Sequence, residues 1–317
     1  MYDYLNIRAN PVRAVLSKLL QDKTTGRNIV WGTDSYRHLN GDCRANAEIT
    51  GDALLKLDAL VLQPRCMKAK EEQLNRTRTK AEVFTPSWVC NKMNNACDEA
   101  WFGRPGVFNA EDGQAWHTAE SPVSFPKGKT WKHYVDSRRL EITCGEAPFI
   151  VSRYDAAAGE PIAVKDRVGM LDRKLRVVRE NVHTDAEWYA WAWRAVESVY
   201  GYEIQGDNLL IARINVLMGW AEHSRAFLGA EPDGKELARV ANVVCWNFWQ
   251  MDGLTGMVPF VEIEAGVQEM EQLTLFDFLP GLETEAKKTM VSVPCRIYDW
   301  RKGEPLLYNE LKEATRL

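Results

Sequence analysis

The sequence has no run approaching the ~18 apolar residues that span a bilayer, no CxxC pair, no internal repeat and no low-complexity tract. No transmembrane helix is therefore expected. The opening residues, MYDYLNIRANPVR, place no apolar core behind a basic start, so no secretory leader is expected either. The seven cysteines, Cys43, Cys66, Cys90, Cys97, Cys144, Cys245 and Cys295, are odd in number and scattered. That spacing argues against a zinc site or a disulfide framework and for reduced thiols in a cytoplasmic protein. Positive charge is not in excess: 40 Lys and Arg stand against 44 Asp and Glu, a net of −4. A chain coated with nucleic-acid-binding charge is excluded, whereas a single basic groove is not. No nuclease metal cluster is visible, so neither a metal site nor a self-contained restriction enzyme is expected.

What remains is an ordinary globular composition, 45% hydrophobic and 26% charged over 317 residues, enough for one large domain or two smaller ones. The 12 tryptophans are many for this length; most should be buried, the rest free to stack on a ligand or base.

Apolar spacing predicts helices over 14–21 and 51–62, the second ended by Gln63-Pro64. A basic strip follows: Arg65, Lys68, Lys70, Arg76, Arg78 and Lys80 against Glu71 and Glu72, net +4. It reads as a solvated helix face or as a phosphate-contacting strip. A helix is expected over 87–101 with Ser87 as N-cap, and a loop over 102–130. A strand-like segment covers 138–151. Thr184 followed by Glu187 forms a capping-box pattern for a helix over 184–198. Then come a strand at 199–204, a helix at 208–221, a helix passing into a strand over 236–253, a strand at 290–300 and a closing helix at 308–316. Strand and helix alternate as in a parallel α/β sheet. Residues 1–80 read as a mainly helical N-terminal region, and 81–317 as a ligand-binding α/β domain.

Three strand ends carry acids in order. Glu141 enters the small turn Thr143-Cys144-Gly145; Glu203 ends Tyr200-Gly201-Tyr202-Glu203; Asp252 ends Trp249-Gln250-Met251-Asp252. Ligands of open α/β sheets bind at the carboxyl ends of strands, where a tight turn admits close backbone approach and carboxylates accept from ribose hydroxyls or an exocyclic amine. Each acid alone also reads as a turn former. Together they point to a nucleoside cofactor.

The residues also resemble a family. Glu82-Val83-Phe84-Thr85-Pro86 resembles the Phe-Thr-Pro motif that precedes the cofactor domain of amino-group DNA methyltransferases. The turn from Glu141 to Phe149 is similar to the cofactor motif of that family. The run from Tyr200 through Glu203, Arg213 and Asn215 is similar to its ribose motif, and Asp252-Gly253-Leu254 to its adenine motif. The likeness spans 82 to about 255 and is closest to N6-adenine methylases of restriction–modification systems.

The resemblance implies a Rossmann-like, doubly wound class I methyltransferase fold that binds S-adenosylmethionine. Phe84 and Thr85 would lie near the methionine end and Glu141 near the sulfonium and amino group. Thr143, Cys144 and Gly145 would form the turn, Glu203 would hold the ribose and Asp252 the adenine. DNA is the implied substrate, and adenine-N6 methylation, in a restriction–modification or mobile-element system, the implied reaction.

The sequence departs from the family in three ways. Ala147 replaces a usual second glycine, and its methyl narrows the approach to the ligand. An insertion over 152–183 carries Arg153, Lys165, Arg167, Arg173, Lys174, Arg176 and Arg179, which read as an exposed charged helix or as phosphate contacts. The Asn/Asp/Ser-Pro-Pro-aromatic tetrad that holds the target amine is missing. Met257-Val258-Pro259-Phe260, Asp299-Trp300 and Asn247-Phe248-Trp249-Gln250 each keep a part of it, so the catalytic residue is unknown. A second reading follows: a methyltransferase-like cofactor- or DNA-binding subunit that needs a partner chain. A small-molecule or RNA methyltransferase is a third, which the Phe-Thr-Pro resemblance disfavours.

Overall fold

A computed structural model describes residues 5–38, 43–56, 62–68, 70–80, 85–264 and 290–314. The elements run in this order: helices α1 (Val12–Leu19), α2 (Gly51–Lys56), α3 (Lys70–Lys80) and α4 (Ser87–Phe102), then strands β1 (Asn109–Asp112) and β2 (Ala115–Thr118). Next are α5 (Trp131–Val135), β3 (Arg139–Glu141), α6 (Met170–Asn181), α7 (Asp185–Glu197), β4 (Val199–Glu203), α8 (Gly206–Leu228), α9 (Gly234–Asn247) and β5 (Phe248–Gln250). The chain closes with β6 (Met257–Glu264), β7 (Met290–Pro294), β8 (Arg296–Asp299), β9 (Glu304–Leu307) and α10 (Tyr308–Ala314).

The fold is mixed α/β. Its centre is a three-stranded parallel sheet in the order β3-β4-β5, with Glu141 opposite Gly201 and Glu203 opposite Gln250. Three two-stranded antiparallel pairs surround it: β1-β2, β6-β7 and β8-β9. Among the described residues no strand lies beyond β3, where a doubly wound sheet would continue.

Side-chain alternation gives the sheet two different faces. One face, with Val199 and Phe248, joins the main core, where Trp188 and Trp220 are fully buried among the helices. Leu16, Leu19, Ile29 and Trp31 belong to that same core, so the N-terminal region is packed into it rather than set apart. The other face, with Tyr200, Tyr202 and Trp249, packs against Val258, Cys295, Ile297 and Tyr308 of the C-terminal strands and α10.

Several sequence expectations need correction. The loop over 102–130 contains the β1-β2 hairpin, turned at Gly113-Gln114. Pro86, not Ser87, occupies the N-cap of α4; the Ser87 amide donates to Asp155 at 2.7 Å. The strand over 138–151 has only three paired residues, because the chain turns sharply after Glu141. The strand over 290–300 breaks at Cys295 into β7 and β8, which belong to different sheets. Residues 57–61 of the helix expected at 51–62 lie outside the described residues, as does Phe84. Thr184 caps this helix as expected, its hydroxyl accepting from the Glu187 amide at 3.2 Å, while Glu187 accepts from the amide of His183, one residue before the cap, at 3.2 Å.

No helix among the described residues is long and apolar enough to cross a membrane.

Candidate functional site

The carboxyl ends of β3, β4 and β5 meet at one edge, because the three strands are parallel and in register. The Met251 amide donates to the Glu203 carbonyl at 3.1 Å, and the Cys144 amide to the Tyr202 carbonyl at 2.8 Å. Glu141, Cys144, Gly145, Glu203 and Asp252 are thereby gathered around the ends of adjacent strands.

The turn after β3 is unusual. Thr143, Gly145 and Ala147 all have positive φ, at 45°, 54° and 62°. Left-handed backbone costs a non-glycine residue about 1–2 kcal/mol. Two long-range contacts oppose that cost. The Gly145 amide donates to Glu203 Oε2 at 2.9 Å, tying the turn to the end of β4. Glu146, buried behind the turn, accepts from the Arg65 amide at 2.6 Å and from the Tyr154 hydroxyl at 2.8 Å. Asn215 completes the support by donating to the Glu146 carbonyl at 3.1 Å and to Tyr154 Oη at 2.9 Å. Sequence reasoning missed Glu146 and Tyr154; both lie within motifs or insertions already noted, but their pairing spans distant segments.

Ala147 has no exposed surface and belongs to the main core. The expectation that its methyl narrows the ligand's approach is therefore corrected. The methyl fills the core, and the burden of replacing glycine falls on the backbone at φ 62°. Gly201 faces the same region: an added Cβ would lie 2.9 Å from the Phe248 ring and 3.1 Å from Cys144 Sγ.

The electrostatics distinguish two carboxylates. Glu203 is buried and accepts from the amides of Gly145, Ile204 and Gln205 at 2.9, 2.9 and 3.0 Å. Burial nevertheless raises its pKa, against those three donors. Glu141 is also buried; Oε1 accepts a long bond of 3.4 Å from the Phe149 amide, and Oε2 has no hydrogen-bond partner. Burial lifts its pKa well above the usual carboxylate range, and the charge on Glu203 adds to the lift. Among the described residues neither acid forms an ion pair with Lys or Arg. Burial and the same two acids push the Cys144 thiol well up, so it is not an activated nucleophile.

Asp252 is half-buried and accepts from the Leu254 amide at 2.9 Å. Thr143 is exposed, its hydroxyl donating to the Ile142 carbonyl at 2.8 Å. Thr85 is half-buried; its carbonyl accepts from Cys90 Sγ at 3.6 Å. Exposed apolar side chains follow each strand at this edge: Ile142 at 63%, Ile204 at 39% and Leu254 at 94%.

An N-terminal segment closes one side of this edge. Gln250 accepts from the Val30 amide at 2.8 Å and donates to the carbonyls of Val30 and Ile204, both at 2.8 Å. A Cβ on Gly206 would lie 1.9 Å from the Val30 carbonyl oxygen, so only glycine admits this approach.

The basic residues read as possible phosphate contacts have other work. Arg76 is buried against Asp207, and Lys68 donates to Tyr36 Oη at 2.9 Å, which in turn donates to Asp207 at 2.7 Å. From the insertion, Arg153 and Arg167 pair with Glu222, Arg173 with Asp98 at 2.6 Å, and Arg176 with Glu180 at 2.7 Å. Lys174 is buried, donating to the Val135 carbonyl at 3.1 Å and the Ser198 hydroxyl at 2.5 Å. The arginines named are paired with acids inside the fold and Lys174 is held by carbonyl and hydroxyl groups; Lys70, Arg78 and Lys165 are exposed.

Two of the three partial tetrads are likewise consumed. The Asn247 amide donates to the carbonyls of Val196 and Val199 at 3.0 and 2.9 Å, while its oxygen accepts from Trp300 Nε1 at 2.7 Å. Asp299 accepts from Arg138 and from the Arg301 amide, both at 2.9 Å. Both lie at the amino-terminal ends of the parallel strands, away from Glu141 and Glu203. Phe260 differs: it sits at a bulge in β6, 57% exposed, with a left-handed φ of 60°. No group of three or more His, Cys, Asp or Glu able to hold a metal ion occurs among the described residues.

Comparison with protein-family models, curated proteins and solved structures gives no match.

Proposed function

We propose that the chain binds S-adenosylmethionine on a Rossmann-like sheet and acts as a DNA adenine-N6 methyltransferase, or as the methylase subunit of a restriction–modification or mobile-element system. The observation that carries this reading is the pair of buried carboxylates, Glu141 and Glu203, which have no cationic partner among the described residues. Buried charges are costly unless paired, and an unpartnered Oε2 marks a missing donor. A ligand that is both cationic and rich in donors complements them: the ammonium and sulfonium of the methionine end at Glu141, and ribose hydroxyls at Glu203. Asp252 would accept from the adenine amine, and the exposed Ile142, Ile204 and Leu254 would flank its ring.

The cofactor supplies an activated methyl group on sulfur. The protein's part is to hold the reactants in line and exclude water, which lowers the barrier by orientation rather than by a covalent intermediate. Phe260 is the one exposed aromatic of the partial tetrads and would stack on the target base.

A second reading is favoured by a specific observation: Asn247 and Asp299, the polar members of two partial tetrads, are bound into the fold. On this reading the chain holds cofactor or DNA and a partner subunit provides the acceptor for the target amine. Calorimetry with S-adenosylmethionine tests the shared part. Binding that is lost in Glu141→Gln supports the site; equal binding in that variant removes it. Transfer of labelled methyl to duplex DNA by the chain alone supports the enzyme. Transfer only when a partner is added supports the subunit.

A further inference from the structure

The surface around α5 joins unpaired positive charge to partly open aromatic rings. From Ser121 to Val135 the chain holds Lys127, Lys129 and Lys132 and no Asp or Glu, although the whole chain is net negative. A turn closed by the Lys129 amide on the Pro126 carbonyl at 3.0 Å, with Gly128 at a φ of 82°, precedes the helix, and all three lysines are exposed. Among the described residues none of them forms an ion pair. Asp136, the next acid in the chain, is already taken by Arg194 and by Arg301 at 2.9 Å.

Tryptophans stand among these charges. Trp131, the first residue of α5, meets Trp191 of α7 with ring centroids 4.7 Å apart and planes inclined at 63°. Both rings pack against the main core yet are only half-buried. The Lys132 ammonium lies 5.5 Å from one ring centre and 5.2 Å from the other. Lys129 Nζ lies 4.4 Å from the Trp101 ring centre and donates to the Trp101 carbonyl at 2.7 Å, which leaves two of its three donors for a further partner. An acidic peptide would pair the lysines and leave the rings bare. An apolar peptide would cover the rings and bury ammonium groups without partners, which is costly. A single strand of nucleic acid satisfies both, with phosphates for the lysines and unstacked bases for the rings. A duplex keeps its base faces hidden in the stack.

We propose that α5, the loop before it and Trp191 bind single-stranded nucleic acid, by phosphate pairing at Lys127, Lys129 and Lys132 and base stacking on Trp131 or Trp191. The surface stands apart from Glu141 and Glu203, since α5 leads into the amino end of β3 and those acids lie at the carboxyl ends. The proposal does not rest on cofactor binding.

The test titrates the full chain, without S-adenosylmethionine, with fluorescent oligothymidylate and oligouridylate of about 12 nucleotides, within the usual site size; the tighter of the two distinguishes DNA from RNA. Lys127→Gln/Lys129→Gln/Lys132→Gln, at exposed positions, is expected to weaken binding about tenfold or more. It should also flatten the slope of log affinity against log salt by about 2, at roughly 0.7 per phosphate contact. The control Lys70→Gln/Lys165→Gln/Lys235→Gln removes the same charge from exposed positions elsewhere and should change affinity by less than about twofold. An oligonucleotide carrying 5-iodouracil should crosslink on illumination to Trp131 or Trp191. No binding by the parent chain, a first triple variant that loses no more than the control, tighter binding of duplex than of single strand, or crosslinks confined to other residues overturns the proposal.

Discussion

The molecule buries its acids in two different ways. Asp207, Asp98 and Glu222 are each met by arginine: Arg76, Arg173, and the pair Arg153 and Arg167. Glu141 and Glu203, at the strand ends, are met among the described residues by backbone amides. The electrostatic consequence is opposite in sign. The cations hold Asp207 and Glu222 below the usual carboxylate range despite burial, whereas burial raises Glu141 and Glu203. Acids that join segments of the fold are neutralised from within. Glu141 and Glu203, with no Lys or Arg partner among the described residues, are placed where a parallel sheet binds ligands.

The strongest way to break this contrast is to remove a cation from the first set. Arg76→Met leaves Asp207, fully buried, short of its closest charge partner. Breaking a buried pair costs about 3–5 kcal/mol, to be read by urea denaturation. A loss below about 1 kcal/mol would mean that Asp207 does not depend on its arginine.

The second set should respond in ligand binding instead. Glu141→Gln is expected to weaken S-adenosylmethionine binding by about 10- to 100-fold, the worth of one charge-assisted hydrogen bond. The same variant should be no less stable than the parent at neutral pH, because it removes a buried charge that lacks a cation. A variant that unfolds while a mutant of the Arg76 pair does not would reverse the assignment of roles.

The pH dependence sharpens the comparison further. The folded pKa of Glu141 lies above its ordinary 4.5. Its contribution to stability is therefore present in full below 4.5 and is lost as pH rises through the raised value. The folded pKa of Glu222 lies below 4.5, so its contribution is present above 4.5 and is lost as pH falls. Stability differences between parent and Glu141→Gln, and between parent and Glu222→Gln, should slope in opposite directions when thermal unfolding is followed across pH. Parallel slopes would contradict the contrast.

The smallest effect belongs to the rim. Glu72 stands 3.7 Å from Lys68 Nζ and 4.0 Å from Arg76, with its side chain 42% exposed. Glu72→Gln is expected to cost about 0.5 kcal/mol or less, as for other solvent-screened pairs. A cost comparable to that of Arg76→Met would place it inside the buried network.

Local signals were legible in the sequence and long-range pairings were not. The Thr184–Glu187 cap and the apolar periods of α1 and α7 depend on neighbours a few residues apart, and so they read correctly. The parallel pairing of β3 with β4 and of β4 with β5 followed from strand–helix alternation. The β1-β2 hairpin was hidden because its turn, Gly113-Gln114, lies among other glycines and prolines that suggested only loop. The segment after Glu141 reads as apolar strand, yet three left-handed residues curl it back. Apart from Arg176, four residues from Glu180, the paired arginines of the insertion carry no local sign of their partners. Glu222 is 69 residues from Arg153, and Asp98 is 75 from Arg173. Of the site, the strand-end acids were legible, while the groups behind the turn, Glu146, Tyr154 and Asn215, acquire their roles only through contacts across the chain.

Gln250 holds both backbone groups of Val30, 220 positions earlier in the chain. During synthesis Val30 emerges before Gln250 and must wait until a further 220 residues, about seven-tenths of the polypeptide, have followed before this berth exists. At ribosomal speeds of about 5–20 residues per second, that interval lasts roughly 10–45 seconds. The two hydrogen bonds that seat Val30 thus close only after that interval.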